Sequence, residues 1–401
     1  MRVRCTACAS EYDLEPATSD LEPAARPRAA CPRCGQPSPM APAAGPASTA
    51  NTADSPSPRD AGAERLITRM SERISRAAGV QPLAGFSLRE TFSEVFARHG
   101  DEDVERYFAV GGPDTTPPLA EIDVRWPKPW VFFRMFLLAL AAYVFFLEAW
   151  KQFGNLNLLP GLILVGSFAI PLSTLMLFFE LNVRRNVSLY QLGRLVLVGG
   201  AASIVFSLLL YQLADAFPVQ WLGASVAGIV EEPGKLLVLA FVVNNRKYRG
   251  ILNGLLFGAA VGAGFAAFES AGYALRAAME AGTGVMRDVI YSRGLLSPFG
   301  HIVWTAMAAA ALWRVKGASR LTFEMLKDRR FTRVFAAAIL LHMIWDSPLQ
   351  LPFDGTYVLL GLIAWVIVLG LVQEGLEELR TSQAAASAAA EPAPTSAPAL
   401  S

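Results

Sequence analysis

The chain has 401 residues, of which 53% are hydrophobic and 17% are charged, and its net charge is +1. The charged fraction is low for a soluble protein, so the composition indicates a membrane protein with soluble extensions. A nearly neutral chain gives no electrostatic reason to expect nucleic acid as a partner.

All four cysteines lie near the N-terminus, as two pairs with CxxC spacing: Cys5 with Cys8, and Cys31 with Cys34. Each pair presents two thiolates from one tight turn, and four sulfur ligands are typical of a closed, structural zinc site. We therefore predict a zinc ribbon over residues 1–36, with zinc as its cofactor and a cytoplasmic protein as its partner. The alternative is a pair of redox dithiols or disulfides. Reduced thiols indicate a cytoplasmic N-terminus.

Residues 37–62 are rich in Pro, Ala and Ser and predict a disordered linker. Residues 63–125 predict a cytoplasmic helical segment, in which Ser87 and Glu90 have the spacing of a capping box. Its first part, residues 64–78, predicts an amphipathic helix. This helix either lies on an anionic membrane surface or is simply solvated.

Eight apolar stretches in the rest of the chain have the length and composition of membrane spans. They run near 131–149, 157–179, 194–213, 220–243, 251–274, 298–315, 332–349 and 355–373. We therefore predict an all-α polytopic membrane protein whose functional core occupies residues 126–375. Residues 376–401, rich in Ala, Ser and Pro towards their end, predict a disordered tail.

Basic residues decide the predicted orientation, because cytoplasmic connections carry an excess of Lys and Arg. The basic connections lie around 184–185, 246–249 and 314–333. The connections 214–219 and 347–354 contain neither residue. Both termini are therefore expected in the cytoplasm, with the chain in the inner membrane of a bacterium. The connection 275–297 is an exception, since it carries arginines on the predicted outer side.

The fourth predicted span contains Glu231, Glu232 and Lys235. Each such charge at the centre of a bilayer costs about 2.5–3.5 kcal/mol on insertion scales. Glu231 and Lys235 share a helix face and can pair, so a purely structural ion pair is one interpretation. Pro233 lies between them and predicts a kink. A kinked helix that carries carboxylates is more typical of a cavity wall than of a lipid-facing surface.

The next three spans add further polar groups. The fifth contains Glu269, with Tyr273 one turn later, and the sixth opens at His301. The seventh contains His342, which Asp346 can orient from one turn further on. Each residue alone has an ordinary structural explanation, as an interfacial histidine or as a carboxylate paired with a nearby cation. Four consecutive spans with such groups predict a shared catalytic site.

These polar groups belong to four short motifs. They are Glu231-Glu232-x-x-Lys235, Phe268-Glu269-x-x-x-Tyr273, His301 followed by Trp304-Thr305, and His342-x-x-Trp345-Asp346. Together they resemble the motifs of the PrsW family of intramembrane proteases, which is related to CAAX prenyl proteases and bacteriocin-processing membrane proteases. The resemblance covers about residues 125–375. It implies hydrolysis of membrane-anchored proteins near the extracytoplasmic side, as in the cleavage of anti-sigma factors. The N-terminal ribbon and helical segment are additional to the family pattern.

Peptide hydrolysis needs an activated water, a base and a group that stabilises the oxyanion. We expect Glu231 or Glu232 to be the base, and prefer Glu231 because it can pair with Lys235. The two histidines have alternative roles. They bind a catalytic metal together with Glu269, or they donate hydrogen bonds to the oxyanion in a metal-free site. The sequence lacks an HExxH pattern, and we prefer the metal-free version.

Two other functions are compatible with the same pattern. Intramembrane glutamates and histidines also serve proton relays, so a transporter or a non-catalytic scaffold is the main alternative. The completeness of the four motifs favours an enzyme, because a scaffold can lose members of the set. A CAAX-like enzyme is disfavoured, because Phe268-Glu269 stands where those families carry a histidine.

Overall fold

The computed structural model describes residues 2–4, 11–13, 41–42, 58–83, 86–349 and 351–390. The cysteines Cys5, Cys8, Cys31 and Cys34 lie outside these residues. The zinc ribbon therefore stays a prediction.

Residues 1–66 form a unit of their own. Three short strands in it, β1 (Arg2–Arg4), β2 (Glu11–Asp13) and β3 (Ala41–Pro42), form an antiparallel sheet in the order β2-β1-β3. β3 and the first turn of the next helix lie within residues 37–62. The prediction of a linker that is disordered throughout is therefore corrected at these two places.

Helices make up the rest of the regular structure that is described. In chain order they are α1 (Pro58–Ala78), α2 (Leu88–Thr91), α3 (Asp101–Phe108), α4 (Val131–Phe153), α5 (Leu159–Leu181), α6 (Leu189–Arg194), α7 (Gly200–Ala214), α8 (Val226–Val243), α9 (Ile251–Ala281), α10 (Thr283–Leu296), α11 (His301–Lys316), α12 (Arg329–Trp345) and α13 (Gly355–Ala390). From residue 67 onwards they belong to one compact unit. The helical architecture predicted for the functional core is confirmed.

Six helical stretches among the described residues are long and apolar enough to cross a membrane. They are Val131–Phe153, Leu156–Leu181, Leu189–Ala214, Ile251–Ala281, Thr283–Lys316 and Pro352–Ala389. The eight predicted spans are thus not all confirmed. The two remaining predicted spans, near 220–243 and 332–349, correspond to α8 and α12. α8 carries three charged residues and α12 has only 17 residues, so neither is among the six. Both pack inside the same bundle, α8 against α7 and α12, and α12 against α11.

α9 and α11 form the centre of the bundle and approach each other closely. A Cβ atom at Gly258 of α9 would lie 2.3 Å from the carbonyl oxygen of Thr305 in α11. One at Gly262 would lie 2.5 Å from the carbonyl oxygen of His301. Small residues at this spacing let two membrane helices approach to backbone contact. The contact fixes the depth of His301 relative to Glu269, which lies further along α9.

A break divides the stretch 283–316 into two helices. α10 ends at Leu296 and α11 begins at His301. Gly300, between them, has φ −110° and ψ −130°, so the helix cannot continue through it. The sequence had predicted an outer connection over 275–297, whereas most of that segment is helical and α10 packs against α5 and α9. The break places His301 at the first position of a new helix.

The last helix is longer than the sequence predicted. α13 continues to Ala390, so the disordered tail predicted for 376–401 is wrong up to that residue. Leu379 is fully buried. Gln383 donates from its side-chain amide to the carbonyl oxygen of Leu119 at 2.8 Å. Contacts with the preceding helical segment therefore stabilise this part of the helix.

Glu180, at the end of α5, caps the N-terminus of α4. Its Oε1 accepts the backbone N–H groups of Trp130 and Val131 at 2.7 and 2.9 Å. Its Oε2 accepts that of Phe132 at 2.8 Å. Glu180 falls at the end of a predicted span, where a solvated carboxylate is expected, but it is only 6% exposed. A buried carboxylate here satisfies N–H groups that have no partner within the helix.

We predict that Glu180→Ala lowers the free energy of unfolding by about 2–3 kcal/mol, because three N–H groups lose a charged acceptor. The measurement is thermal unfolding of the purified protein in detergent. Glu148→Ala is the matched control, since Glu148 lies on α4 with its side chain 61% exposed. Equal shifts for the two variants would contradict the capping role.

Candidate active site

Four helices bring polar side chains together in one cluster. Its members are Glu231, Glu232 and Lys235 from α8, Glu269 from α9, His301 from α11, His342 from α12, and Asp346 from the C-terminal cap of α12. Every membrane residue that the sequence singled out as catalytic lies in it. The backbone of α8 stays helical on both sides of Pro233.

Glu232 is the most enclosed carboxylate of the cluster, at 1% exposure. Its Oε1 accepts a hydrogen bond from Lys235 Nζ at 2.7 Å and lies 3.0 Å from His342 Nδ1. Its Oε2 accepts from Thr305 Oγ1 at 3.4 Å. Both oxygens are thus engaged by protein groups. This is the geometry of a carboxylate that holds its neighbours in place.

Glu231 is oriented differently. Its Oε1 accepts a hydrogen bond from the hydroxyl of Tyr211, on α7, at 3.1 Å. Its Oε2 lies 3.4 Å from Lys235 Nζ. The same oxygen is 3.9 Å from His301 Nδ1 and 3.9 Å from His342 Nε2. Oε2 of Glu231 therefore faces the space between the two imidazole rings.

Carboxylates hold both histidines, on one ring nitrogen of His301 and on both ring nitrogens of His342. Nε2 of His301 lies 3.1 Å from Glu269 Oε2, and Nδ1 of His342 lies 3.0 Å from Glu232 Oε1. Such contacts fix the orientation and the tautomer of an imidazole. The second nitrogens, Nδ1 of His301 and Nε2 of His342, point towards Glu231. Asp346 lies 3.1 Å from the latter, in agreement with the i+4 spacing in the sequence.

Lys235 is fully buried and supplies positive charge to the cluster. Its Nζ contacts both glutamates of α8 and lies 2.9 Å from His301 Nδ1. The ammonium also lies 4.0 Å from the ring centroid of Phe265. Buried charges need such compensation, because removing one partner leaves the others unpaired at high cost.

Aromatic rings complete the packing around the histidines. Trp304, one turn into α11, stacks on His342 with ring centroids 4.4 Å apart and an angle of 22°. Trp345 packs edge-on against Trp304 at 5.3 Å. These rings account for the tryptophan that follows each histidine in the sequence, because they fix the imidazoles sterically.

Sequence reasoning did not include two residues of the site. Arg293, on α10, donates to the carboxylate of Glu269, and its Nε donates to Ser270 Oγ at 3.0 Å. Its guanidinium carbon lies 4.4 Å from the ring centroid of Tyr273. Arg293 was not predicted as a site residue because it falls in the predicted outer connection. The only sequence signal was its position shortly before His301.

The second omitted residue is Tyr211. The only available signal was a phenol near the end of a mainly apolar predicted span. A tyrosine at such a position is also common as a lipid-interface residue, so the sequence alone did not separate the two roles.

Three donor atoms converge on one space. Glu231, His301 and His342 each offer a ligand atom, and these atoms lie within 4.8 Å of one another. Two imidazole nitrogens and one carboxylate oxygen form a set that zinc uses in catalytic sites. The remaining nitrogen of each ring faces a carboxylate, as is usual for histidines that bind a metal. The residues therefore fit a divalent ion.

This donor set differs from the one predicted. The sequence grouped Glu269 with the histidines, whereas the structure brings in Glu231. Glu269 lies on the far nitrogen of His301 and is paired with Arg293, so it faces away from His342. A cation bound between the three donors would lie near the positively charged Nζ of Lys235. Glu232, at 2.7 Å from this Nζ, provides the ammonium with a partner outside the donor set.

The cluster lies near one end of the helices. His342 is three residues before Trp345, the last residue of α12, and Glu231 is five residues after Val226, the first of α8. At 1.5 Å per residue, these groups lie about 5–8 Å from those helix ends. The basic connection 246–249 follows the opposite end of α8.

Exposure is uneven within the cluster. The side chains of Glu269, His301 and Asp346 are 21%, 15% and 30% exposed, respectively. Those of Glu232 and Lys235 are completely enclosed. The cluster is thus a largely buried charged group in which Glu269 and Asp346 are the more exposed carboxylates.

Comparison with known families agrees with this geometry. Residues 188–372 match the profile of a family described as PrsW family intramembrane metalloprotease. Among curated proteins and solved structures, none is significantly similar to the chain. The matched segment contains every residue of the cluster and the helices that carry them. The match therefore supports the resemblance of this segment to the intramembrane proteases of the PrsW family.

Proposed function

We propose that the protein is an intramembrane protease that hydrolyses peptide bonds of membrane-anchored proteins. One observation carries the proposal: Oε2 of Glu231 faces Nδ1 of His301 and Nε2 of His342, each at 3.9 Å. A carboxylate and two imidazoles around a space of this size are suited to hold and activate a water molecule. The family match supports the same reaction.

In this proposal Glu231 is the general base. Its Oε2 accepts a proton from the attacking water and later returns it to the leaving amine. Two observations support Glu231 over Glu232. The first is the direction of Oε2. The second is that both oxygens of Glu232 are already engaged by Lys235, His342 and Thr305.

Groups on the same side stabilise the developing oxyanion. Lys235 Nζ and His342 Nε2 lie 3.4 and 3.9 Å from Glu231 Oε2, so a carbonyl carbon attacked there has both donors nearby. Preorganised donors in an enclosed site are worth more than in water. Glu232 and Asp346 keep the imidazole of His342 in place while this charge develops.

We further propose that a divalent metal ion, zinc by its donor set, is the cofactor of this site. In this version Glu231, His301 and His342 would hold the ion, which would supply Lewis acidity and lower the pKa of the bound water. Glu231 Oε2 and His342 Nε2 would then be ligands, so the roles of base and oxyanion donor described above belong to the metal-free version. The convergence of the three donors and the metalloprotease description of the family support this version. The sequence alone had favoured a metal-free site.

The depth of the cluster suggests where substrates are cut. α8 and α12 are proposed as two further spans, and both termini are proposed to lie in the cytoplasm of a bacterial inner membrane. The cluster then lies within the outer part of the bilayer. The cleaved bond is expected near the extracytoplasmic end of the substrate's membrane anchor. Regulatory proteins of the anti-sigma-factor type, with a single such anchor, fit this requirement.

We predict that Glu231→Gln lowers cleavage by about 100- to 10,000-fold, because an amide cannot accept the proton of water. The measurement compares the N-termini of membrane proteins in cells that carry wild type or the variant. Glu280→Gln is the matched control, since Glu280 lies on α9 with its side chain 69% exposed. Identical N-termini for wild type and Glu231→Gln, with both well expressed, would instead favour a scaffold or transporter.

We predict that the full chain with Cys5, Cys8, Cys31 and Cys34 replaced by serine still binds one zinc ion, because the membrane site is independent of the ribbon. His342→Gln in this background is expected to remove the metal, since it deletes one of the proposed ligands. Metal content is measured by elemental analysis of the purified protein. A metal-free preparation that retains full cleavage activity contradicts the metal version and leaves the Glu231 base.

We predict that Arg293→Gln lowers the cleavage rate about tenfold, because Glu269 loses the cation that helps to hold it against His301. The initial rate is measured on a substrate found in the N-terminus comparison. Arg276→Gln is the control, since Arg276 is an exposed arginine near the end of α9. Equal rates for the two variants would exclude this role of Arg293.

A further inference from the structure

Tyr211 lies outside the four helices whose motifs form the cluster. It belongs to α7, and its hydroxyl donates to Oε1 of Glu231 at 3.1 Å. α7 and α8 are closely packed at this level. A Cβ at Gly234 would lie 2.9 Å from Oγ of Ser207, one turn before Tyr211. The position of the phenol relative to α8 is therefore set by the packing of two helices.

A glutamate carboxylate has a soft terminal torsion, so its plane turns easily unless one oxygen is held. Lys235 does not hold Glu231 firmly, since its Nζ is 3.4 Å from Glu231 but 2.7 Å from Glu232. The hydroxyl of Tyr211 is the shorter contact of Glu231, and it binds the oxygen that points away from the histidines. With Oε1 held, Oε2 is left facing His301 and His342.

We propose that Tyr211 is a positioning residue for the reaction, which orients the carboxylate of Glu231 towards the two histidines. This inference rests on the proposed function, because it assigns Glu231 as the base. It also explains why the carboxylates of the adjacent Glu231 and Glu232 have different orientations. The phenol on α7 reaches Glu231, whereas Glu232 has its partners on α8, α11 and α12.

A purely structural role gives a different pattern of effects. If the hydrogen bond only joined α7 to α8, its loss would loosen the bundle and lower the unfolding temperature. Substrate binding would weaken together with turnover. A positioning role instead predicts a selective loss of kcat, because only the approach of the base to the water changes.

The first test is Tyr211→Phe, which removes the hydroxyl and keeps the ring. We expect kcat to fall about 10- to 100-fold, the range for a hydrogen bond to a charged group, with KM nearly unchanged. The thermal unfolding midpoint should fall only slightly, because Glu231 keeps Lys235 as a partner through Oε2. The substrate is the single-pass protein whose new N-terminus is most abundant in the comparison above. Tyr190→Phe is the matched control, since Tyr190 on α6 is 77% exposed.

A second variant tests whether Tyr211 acts through Glu231 or independently of it. Glu231→Asp shortens the carboxylate, which then no longer reaches the hydroxyl of Tyr211. In this background Tyr211→Phe should change the residual rate less than about twofold, because coupled residues are not additive. An unchanged kcat in the single Tyr211→Phe variant overturns the inference, as does a full effect in the Glu231→Asp background.

The outcomes also separate this inference from the proposed function. If Glu231→Gln is inactive and Tyr211→Phe behaves as wild type, the protease assignment stands and the role of Tyr211 is wrong. If Glu231→Gln is as active as wild type, the base assignment is wrong and the inference on Tyr211 fails with it. A markedly lower unfolding midpoint together with a raised KM for Tyr211→Phe identifies a structural contact.

Discussion

The rest of the structure depends on the burial of two carboxylates and one ammonium in the N-terminal part of α8. Lys235 is completely enclosed, and Glu232 nearly so. Charges in such surroundings persist only when every one of them has a partner of opposite charge or a hydrogen bond. Thr305 and His342 supply those partners from α11 and α12, and both helices must therefore pack against α8 at one depth. The same contacts that keep α8 stable also assemble the site.

The apolar framework around this charged group serves mainly to set distances. Glycines on α9 bring α11 to backbone contact, so Glu269 and His301 stay in register. Trp304 is fully buried and stacks on His342, so its ring fills the space beside that imidazole. Close packing of this kind transmits small displacements, so residues without catalytic chemistry still affect the geometry of the site.

Much of the site could be predicted from the sequence, because charges in apolar helices are rare and stand out. Glu231, His301 and His342 were all recognisable in this way. The helix spacing also placed Asp346 beside His342. The predicted metal set contained Glu269, whereas the three converging donors are Glu231, His301 and His342, because spacing along a helix does not show where each carboxylate oxygen points. The contact of Tyr211 with Glu231 could not be predicted, because it depends on how α7 packs on α8 and no local sequence pattern shows this packing.

The fold was less predictable at its irregular places. Hydropathy finds apolar stretches, but it does not show that most of the predicted connection 275–297 is helical and packed, nor that α13 continues past residue 376. Both features depend on contacts between distant segments, such as α10 with α5. Composition predicted disorder after 376, whereas Leu379 is buried by such contacts and Gln383 is hydrogen-bonded.

The length of α9 has a consequence for the membrane around the protein. A helix of 31 residues is about 46 Å long, whereas the hydrocarbon core of a bilayer is about 30 Å thick. The excess must be taken up by tilt, by projection into water or by local thickening of the lipid. Since the glycine contacts bind α9 to α11, Glu269 and His301 move together when α9 tilts. Hydrophobic mismatch thus links bilayer thickness to the distance between the polar cluster and the water phase.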